Sequence, residues 1–191
     1  MELYIYGGIG VLVIIILLII ISAKKQSKND SEALREIGES DPKNDYYVLS
    51  KIQFHDGIRQ AKIDHLVINT SGIHAVLEYK CEGQISGDKD DAEWSFEHKG
   101  VSDVFENPIE TANALKLSID KVLKKDYPLF LYIVFPENAE LKRRRMSYPV
   151  LLSHELKDEM NQNFKSKKKI SSNDVKLIYD LFLKVKDSFN S

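Results

Sequence analysis

Lys62-Ile63-Asp64-His65-Leu66-Val67-Ile68-Asn69, then Thr70-Ser71-Gly72, then Ile73-His74-Ala75-Val76-Leu77-Glu78-Tyr79-Lys80-Cys81 is the stretch on which the fold turns. Both flanks are rich in Ile, Val and Leu and read as strands. The spacer suits a three-residue hairpin loop whose glycine closes a type I turn in the left-handed region. Such a loop sets Asn69 opposite Ile73 and, further along, Asp64 opposite Glu78. Directly opposed residues of an antiparallel pair share a face, with Cβ atoms about 5 Å apart. Lys80, two positions after Glu78, shares that face by alternation. His65 falls on the opposite face, as does Cys81. Two carboxylates and a lysine therefore converge at one end of a hairpin that is otherwise almost entirely apolar.

Two carboxylates about 5 Å apart repel by roughly 3 kcal/mol at an effective dielectric near 20. A shared proton, the ammonium of Lys80 or a bound divalent cation would offset that. Oxygen ligands of this kind suit Mg²⁺ or Mn²⁺, which take a few carboxylates and keep waters. A lysine beside them can orient an attacking water or hold a phosphate oxygen. A solvated salt-bridge cluster on the polar face of a sheet would show the same three residues, and the pattern alone leaves both readings open.

Asp64-His65-Leu66-Val67-Ile68, Gly72-Ile73 and Glu78-Tyr79-Lys80 resemble the core of the NERD (nuclease-related) domain. That family is assigned to the PD-(D/E)xK nucleases and has a restriction-endonuclease-like fold. The resemblance implies phosphodiester hydrolysis with Mg²⁺ or Mn²⁺, Asp64 and Glu78 as metal ligands and the Tyr79 carbonyl as a further one. Lys80 would position the water and stabilise developing charge. Nucleic acid is the implied partner, DNA ahead of RNA. Gly83-Gln84-Ile85-Ser86-Gly87 resembles the family's G-x-I-x-G segment, and Trp94 recurs in its pattern. Glu32 has two readings: favourable interaction with a helix dipole, or the first-helix glutamate that joins the metal site in related nucleases. Thr111 and Leu115 stand where the family usually carries a glutamine and a histidine. Those departures leave room for a degenerate domain that binds nucleic acid or a membrane partner without cleaving.

At 191 residues the chain has room for one domain and an appendage. Its net charge of −2 excludes a global attraction to nucleic acid, so binding rests on local patches. The one cysteine, Cys81, excludes an internal disulfide and fits a reducing compartment. Residues 3–23 are uncharged and mostly apolar, matching the roughly 20 residues of a bilayer-crossing helix. Lys24, Lys25 and Lys28 follow, so the positive flank stays inside and the domain faces the cytoplasm of a single-pass cell-membrane protein. The expected organisation is an anchor at 1–23, a tether at 24–30 and the nuclease-related domain at 31–191.

The remaining chain fits an α/β fold, a mixed sheet flanked by helices. Glu32-Ala33-Leu34-Arg35-Glu36-Ile37 reads as a short helix ending at Gly38, and residues 46–54 as the first strand. Asn107-Pro108-Ile109-Glu110 is a helix start, with Ile109, Ala112, Leu115, Ile119, Val122 and Leu123 on one stripe. Residues 129–135 lack polar alternation and suit an interior strand, and residues 148–152 an edge strand. Ser153 is placed to cap one helix, and Ser172 or Asn173 the last. Two basic clusters, residues 142–145 and 165–169, suit phosphates, an anionic membrane leaflet or plain solvated loops.

Overall fold

The computed structural model describes residues 31–55, 60–143, 145–163 and 170–188. The chain divides into two compact units, Met1–Ser31 and Glu32–Ser191. The expected anchor and tether, the basic cluster at 165–169 and Arg144 of the other cluster lie outside the described residues. Among the described residues no helix is long and apolar enough to cross a membrane.

In chain order the elements are α1 (Glu32–Ile37), β1 (Tyr47–His55), β2 (Gln60–Asn69), β3 (Gly72–Glu78), β4 (Gly83–Gly87), β5 (Glu93–His98), β6 (Val101–Glu106), α2 (Pro108–Val122), β7 (Leu129–Phe135), β8 (Ala139–Arg143), β9 (Val150–Leu152), α3 (Leu156–Asn163) and α4 (Ser172–Asp187). They build two mixed sheets flanked by helices, with strand orders β1-β2-β3-β7-β9 and β6-β5-β4-β8. This arrangement fits a nuclease-like fold. The β1–β2–β3 pairs are antiparallel, while β7 runs parallel to both β3 and β9. Sequence reading anticipated one sheet; the second arises because β6 and β8 pair on either side of the β4–β5 hairpin.

The five-stranded sheet is covered on both faces, which is why β3 and β7 read as unbroken apolar runs. Leu131, Ile133 and Phe135 of β7 pack with Ile109, Ala112, Leu115 and Ile119 of α2, and with Val175, Ile178 and Phe182 of α4. Tyr132 and Val134 point the other way, against Ala33 and Ile37 of α1 and Leu156 and Met160 of α3. Each fully buried Leu, Ile or Phe contributes about 1.5–3 kcal/mol. β9 lies at the sheet edge, and the carbonyl of its preceding Pro149 still accepts from Ile133 N–H at 3.0 Å.

Helix starts follow the sequence in one case and depart in two. Asn107 Oδ1 accepts from Ile109 N–H at 2.9 Å, with Pro108 at the first helical position. Its amide also donates to the carbonyl of Asp91 at 2.6 Å and to those of Lys89 and Asp88, tying α2 to the turn after β4. Ser171, one residue before the expected caps, caps α4 by accepting from Asp174 N–H at 3.1 Å. Ser153 opens a 3₁₀ turn instead of capping, because its hydroxyl donates to Glu32 at 2.9 Å. Asn107 is fully buried. Asn107→Ala should therefore lose both the cap and the carbonyl partners, lowering unfolding free energy in a urea titration by about 2–3 kcal/mol. A loss under about 0.5 kcal/mol would show that α2 and the turn hold without it.

The glycines of the Gly83–Gly87 strand have steric reasons. Gly87 lies flat on the Trp94 ring, where any Cβ would overlap the indole. Gly83 has φ +83° and meets the Glu97 carbonyl. Trp94 itself is buried and donates from Nε1 to the Asp88 carbonyl at 3.0 Å.

Candidate active site

The central hairpin is tighter than its sequence suggests. Asn69 pairs with Gly72, Ile68 with Ile73 and His65 with Val76, leaving a two-residue loop, Thr70-Ser71. Asn69 explains the difference: its Oδ1 accepts from both Ser71 N–H at 2.8 Å and Ser71 Oγ at 2.6 Å, closing the turn with a side chain. Gly72 is used elsewhere. A Cβ there would collide with the Pro128 carbonyl and the Phe130 ring, at the point where β7 begins beside β3.

A one-residue slip should send Asp64 and Glu78 to opposite faces. They meet nevertheless, because alternation breaks in both β1 and β2. Leu49 and Ile52 share one core cluster, as do Ile63 and Leu66, although each pair is separated by an odd step. The ladder passes from Ser50↔His65 to Ile52↔Ile63 without pairing Lys51 and Asp64. Lys51 has φ +59°, a left-handed conformation that costs a non-glycine residue about 1–2 kcal/mol. The flip brings Asp64 and His65 to the same side, where Glu78 lies.

Contacts there are specific. Asp64 Oδ2 accepts from Glu78 N–H at 2.9 Å, and Asp64 Oδ1 pairs with Lys62 Nζ at 2.7 Å. Glu78 Oε1 accepts from Ala33 N–H at 3.2 Å, and Oε2 lies 2.9 Å from His65 Nε2. The other ring nitrogen, Nδ1, is 2.8 Å from Ser50 Oγ. Carboxylate repulsion is thus offset by two backbone N–H groups, Lys62 and His65, while Lys80, one of the three compensations the sequence left open, has no described contact with either carboxylate. His65 is the residue that simple alternation missed. Its place on the Asp64 face follows from the flip at Lys51, which no local pattern in β2 announces.

The remaining expected residues lie around this pair. Lys80 follows the end of β3, is exposed, and has no described ion pair. Tyr79 continues the pairing by donating from its N–H to the Val134 carbonyl at 2.9 Å. Its ring packs on Phe105 and Phe135. Burial raises the Tyr79 phenol above its usual range, against a hydrogen bond with Thr111, while Glu106 and Asp64 add to the rise. Glu32 Oε2 accepts from Glu137 N–H at 2.9 Å and from Ser153 Oγ. The described contacts of Glu32 are therefore structural: they hold α1 so that Ala33 reaches Glu78. Cys81 packs against the larger core cluster, and burial raises its thiol pKa. Of the first basic cluster, Arg145 is taken up by Asp88 and Asp90 at 3.2 Å.

A family model described as Nuclease-related domain (NERD) matches residues 25–136, more than half of the chain. The chain belongs to the NERD family. The match runs from before α1 to Pro136 at the end of β7, so it takes in Asp64, Glu78 and Lys80. No curated protein and no solved structure matches the chain. Leu115, set by the sequence reading against a histidine of the NERD pattern, is a core residue only 1% exposed.

Proposed function

We propose that this NERD protein is a membrane-anchored, cytoplasm-facing nuclease that hydrolyses phosphodiesters, DNA before RNA, with Mg²⁺ or Mn²⁺. The observation that carries the reading is the juxtaposition of Asp64 and Glu78, with Lys80 two residues further along the same strand direction.

Among the described residues no three His, Cys, Asp or Glu side chains form a group that could hold a metal ion. The donor set would instead be two carboxylates with the backbone carbonyl of Tyr79. That number fits Mg²⁺ and Mn²⁺, which complete their shells with water and substrate oxygens. The described hydrogen bonds use two of the about four lone-pair sites on the Asp64 carboxylate. When bound, the cation supplies Lewis-acid polarisation of a phosphate oxygen and acidifies a water. Asp64 and Glu78 hold it. Lys80 orients the attacking water and stabilises charge developing on phosphate. Glu32 assists by fixing α1, whose Ala33 N–H steadies Glu78.

The full chain should stay with membranes through an alkaline carbonate wash, through its apolar stretch at 3–23. Purified in detergent, it should cut DNA with Mn²⁺ and stop with EDTA. Release by carbonate would sink the anchor, and absence of cleavage on DNA and RNA with either cation would sink the nuclease. A second reading, a NERD module that binds nucleic acid or a membrane partner without cutting, is favoured by Thr111 and by the buried Leu115. Cation-independent binding without cleavage would select it.

A further inference from the structure

We propose that Ser50 and His65 form a positioning arm that sets the Glu78 carboxylate for its cation, so that His65 is a working part of the site. The proposal rests on the reading of Glu78 as a cation ligand. His65 is 5% exposed, and both of its ring nitrogens have polar partners. An ionised Glu78 only accepts hydrogen bonds, so His65 Nε2 carries the proton that faces Oε2. In the neutral ring Nδ1 is then the acceptor and takes the Ser50 hydroxyl hydrogen, which fixes the tautomer.

The geometry makes this more than a satisfied core histidine. Glu78 is gripped at one oxygen by β2, through His65, and at the other by α1, through Ala33 N–H. Turning the carboxylate away loses both bonds at once. Its orientation is therefore set before any cation arrives, which lowers the ordering cost of binding. Ser50 and His65 are also cross-strand partners immediately beside the unpaired Lys51 and Asp64. The strand flip that delivers Asp64 delivers the arm in the same step. Partners that hold a ligating group in this way typically affect metal affinity by about 10–100-fold.

The test is Mn²⁺ affinity of the full chain in detergent, read from the loss of the free-ion electron paramagnetic resonance signal. His65→Asn keeps an amide but is too short to reach Glu78, and should weaken Mn²⁺ binding by about 10–100-fold. His65→Gln, whose amide N–H stands near the Nε2 position, should remain within about threefold of the parent. Ser50→Ala releases the tautomer and should cost several-fold; it also carries the test should His65→Asn lose its near-ultraviolet circular dichroism. Equal loss in the Gln and Asn variants, both folded, overturns the donor role of Nε2. If folded His65→Asn and Ser50→Ala both bind like the parent, the arm is overturned while the cation site stands. If the parent binds no Mn²⁺, the arm and the cation reading of Glu78 fall together.

Discussion

Lys80→Ala should reduce Mn²⁺-dependent cleavage by about 10³-fold while leaving Mn²⁺ affinity and melting temperature at parental values. The loss corresponds to about 4 kcal/mol of transition-state stabilisation. The separation of effects follows from where the residue stands. Lys80 is exposed just beyond β3, and no described ion pair ties it to the fold. Its neighbours offer no such clean experiment. Glu78→Ala would remove the acceptor of Ala33 N–H and the partner of His65, costing about 3 kcal/mol of stability alongside any activity. Asp64→Asn would disturb the bonds to Lys62 and to Glu78 N–H. Single-turnover cleavage beside Mn²⁺ binding decides the matter. A Lys80→Ala protein that cuts as fast as the parent would make Lys80 a surface lysine.

The second large effect is acid instability centred on His74, at the other end of the hairpin. His74 is fully buried, stacked on Phe130 and Tyr132, and burial lowers its pKa to about 4. Its contacts form a chain with one consistent direction. Asn163 donates to Tyr132 Oη and Tyr132 to His74 Nδ1; His74 Nε2 then donates to Ser71 Oγ, which donates to Asn69. A second ring proton would set two donors face to face at Nδ1. Above pH 6.5 the ring is neutral in both folded and unfolded chains and contributes no pH dependence. Below it the unfolded chain takes up a proton that the native ring refuses, so stability falls by about 1.4 kcal/mol per pH unit until the pH nears 4. Between pH 6.5 and 5 the loss should be about 2 kcal/mol, or about 4–8 °C in melting temperature. His74→Gln should start lower at pH 7 and show a flatter profile across that window. Parallel profiles for parent and variant would show that His74 titrates normally.

The two results draw on residues of very different legibility. The Asp64, Glu78 and Lys80 pattern is visible in the chain because charged residues interrupt two apolar runs. The path by which Asp64 reaches Glu78 is not. A three-residue loop and strict alternation give the same neighbours as the observed two-residue loop combined with a flip at Lys51. The errors cancel, and only the position of His65 betrays them. The second sheet was likewise half-hidden. β6, with Val101 and Val104 exposed, has no apolar face to announce it, and β8 is short, with only Ala139 and Leu141 reaching the core between charged residues.

By itself the sequence determined the family, the interior strand at 129–135, the α2 stripe with its Asn107-Pro108 start, and the two carboxylates with their lysine. Each is set by local chemistry or by a period that neighbouring residues enforce on one another. Tertiary structure alone decided the hairpin register, the side of the sheet on which His65 lies, and the partners that neutralise Asp64 and Glu78. Those depend on β7 pressing on Gly72, on Lys51 adopting a left-handed backbone and on α1 docking through Glu32. The contacts at Gly72 and Glu32 join residues far apart in the chain, and the short-range ones, Asn69 with Ser71 and Lys62 with Asp64, form only in the register those contacts leave.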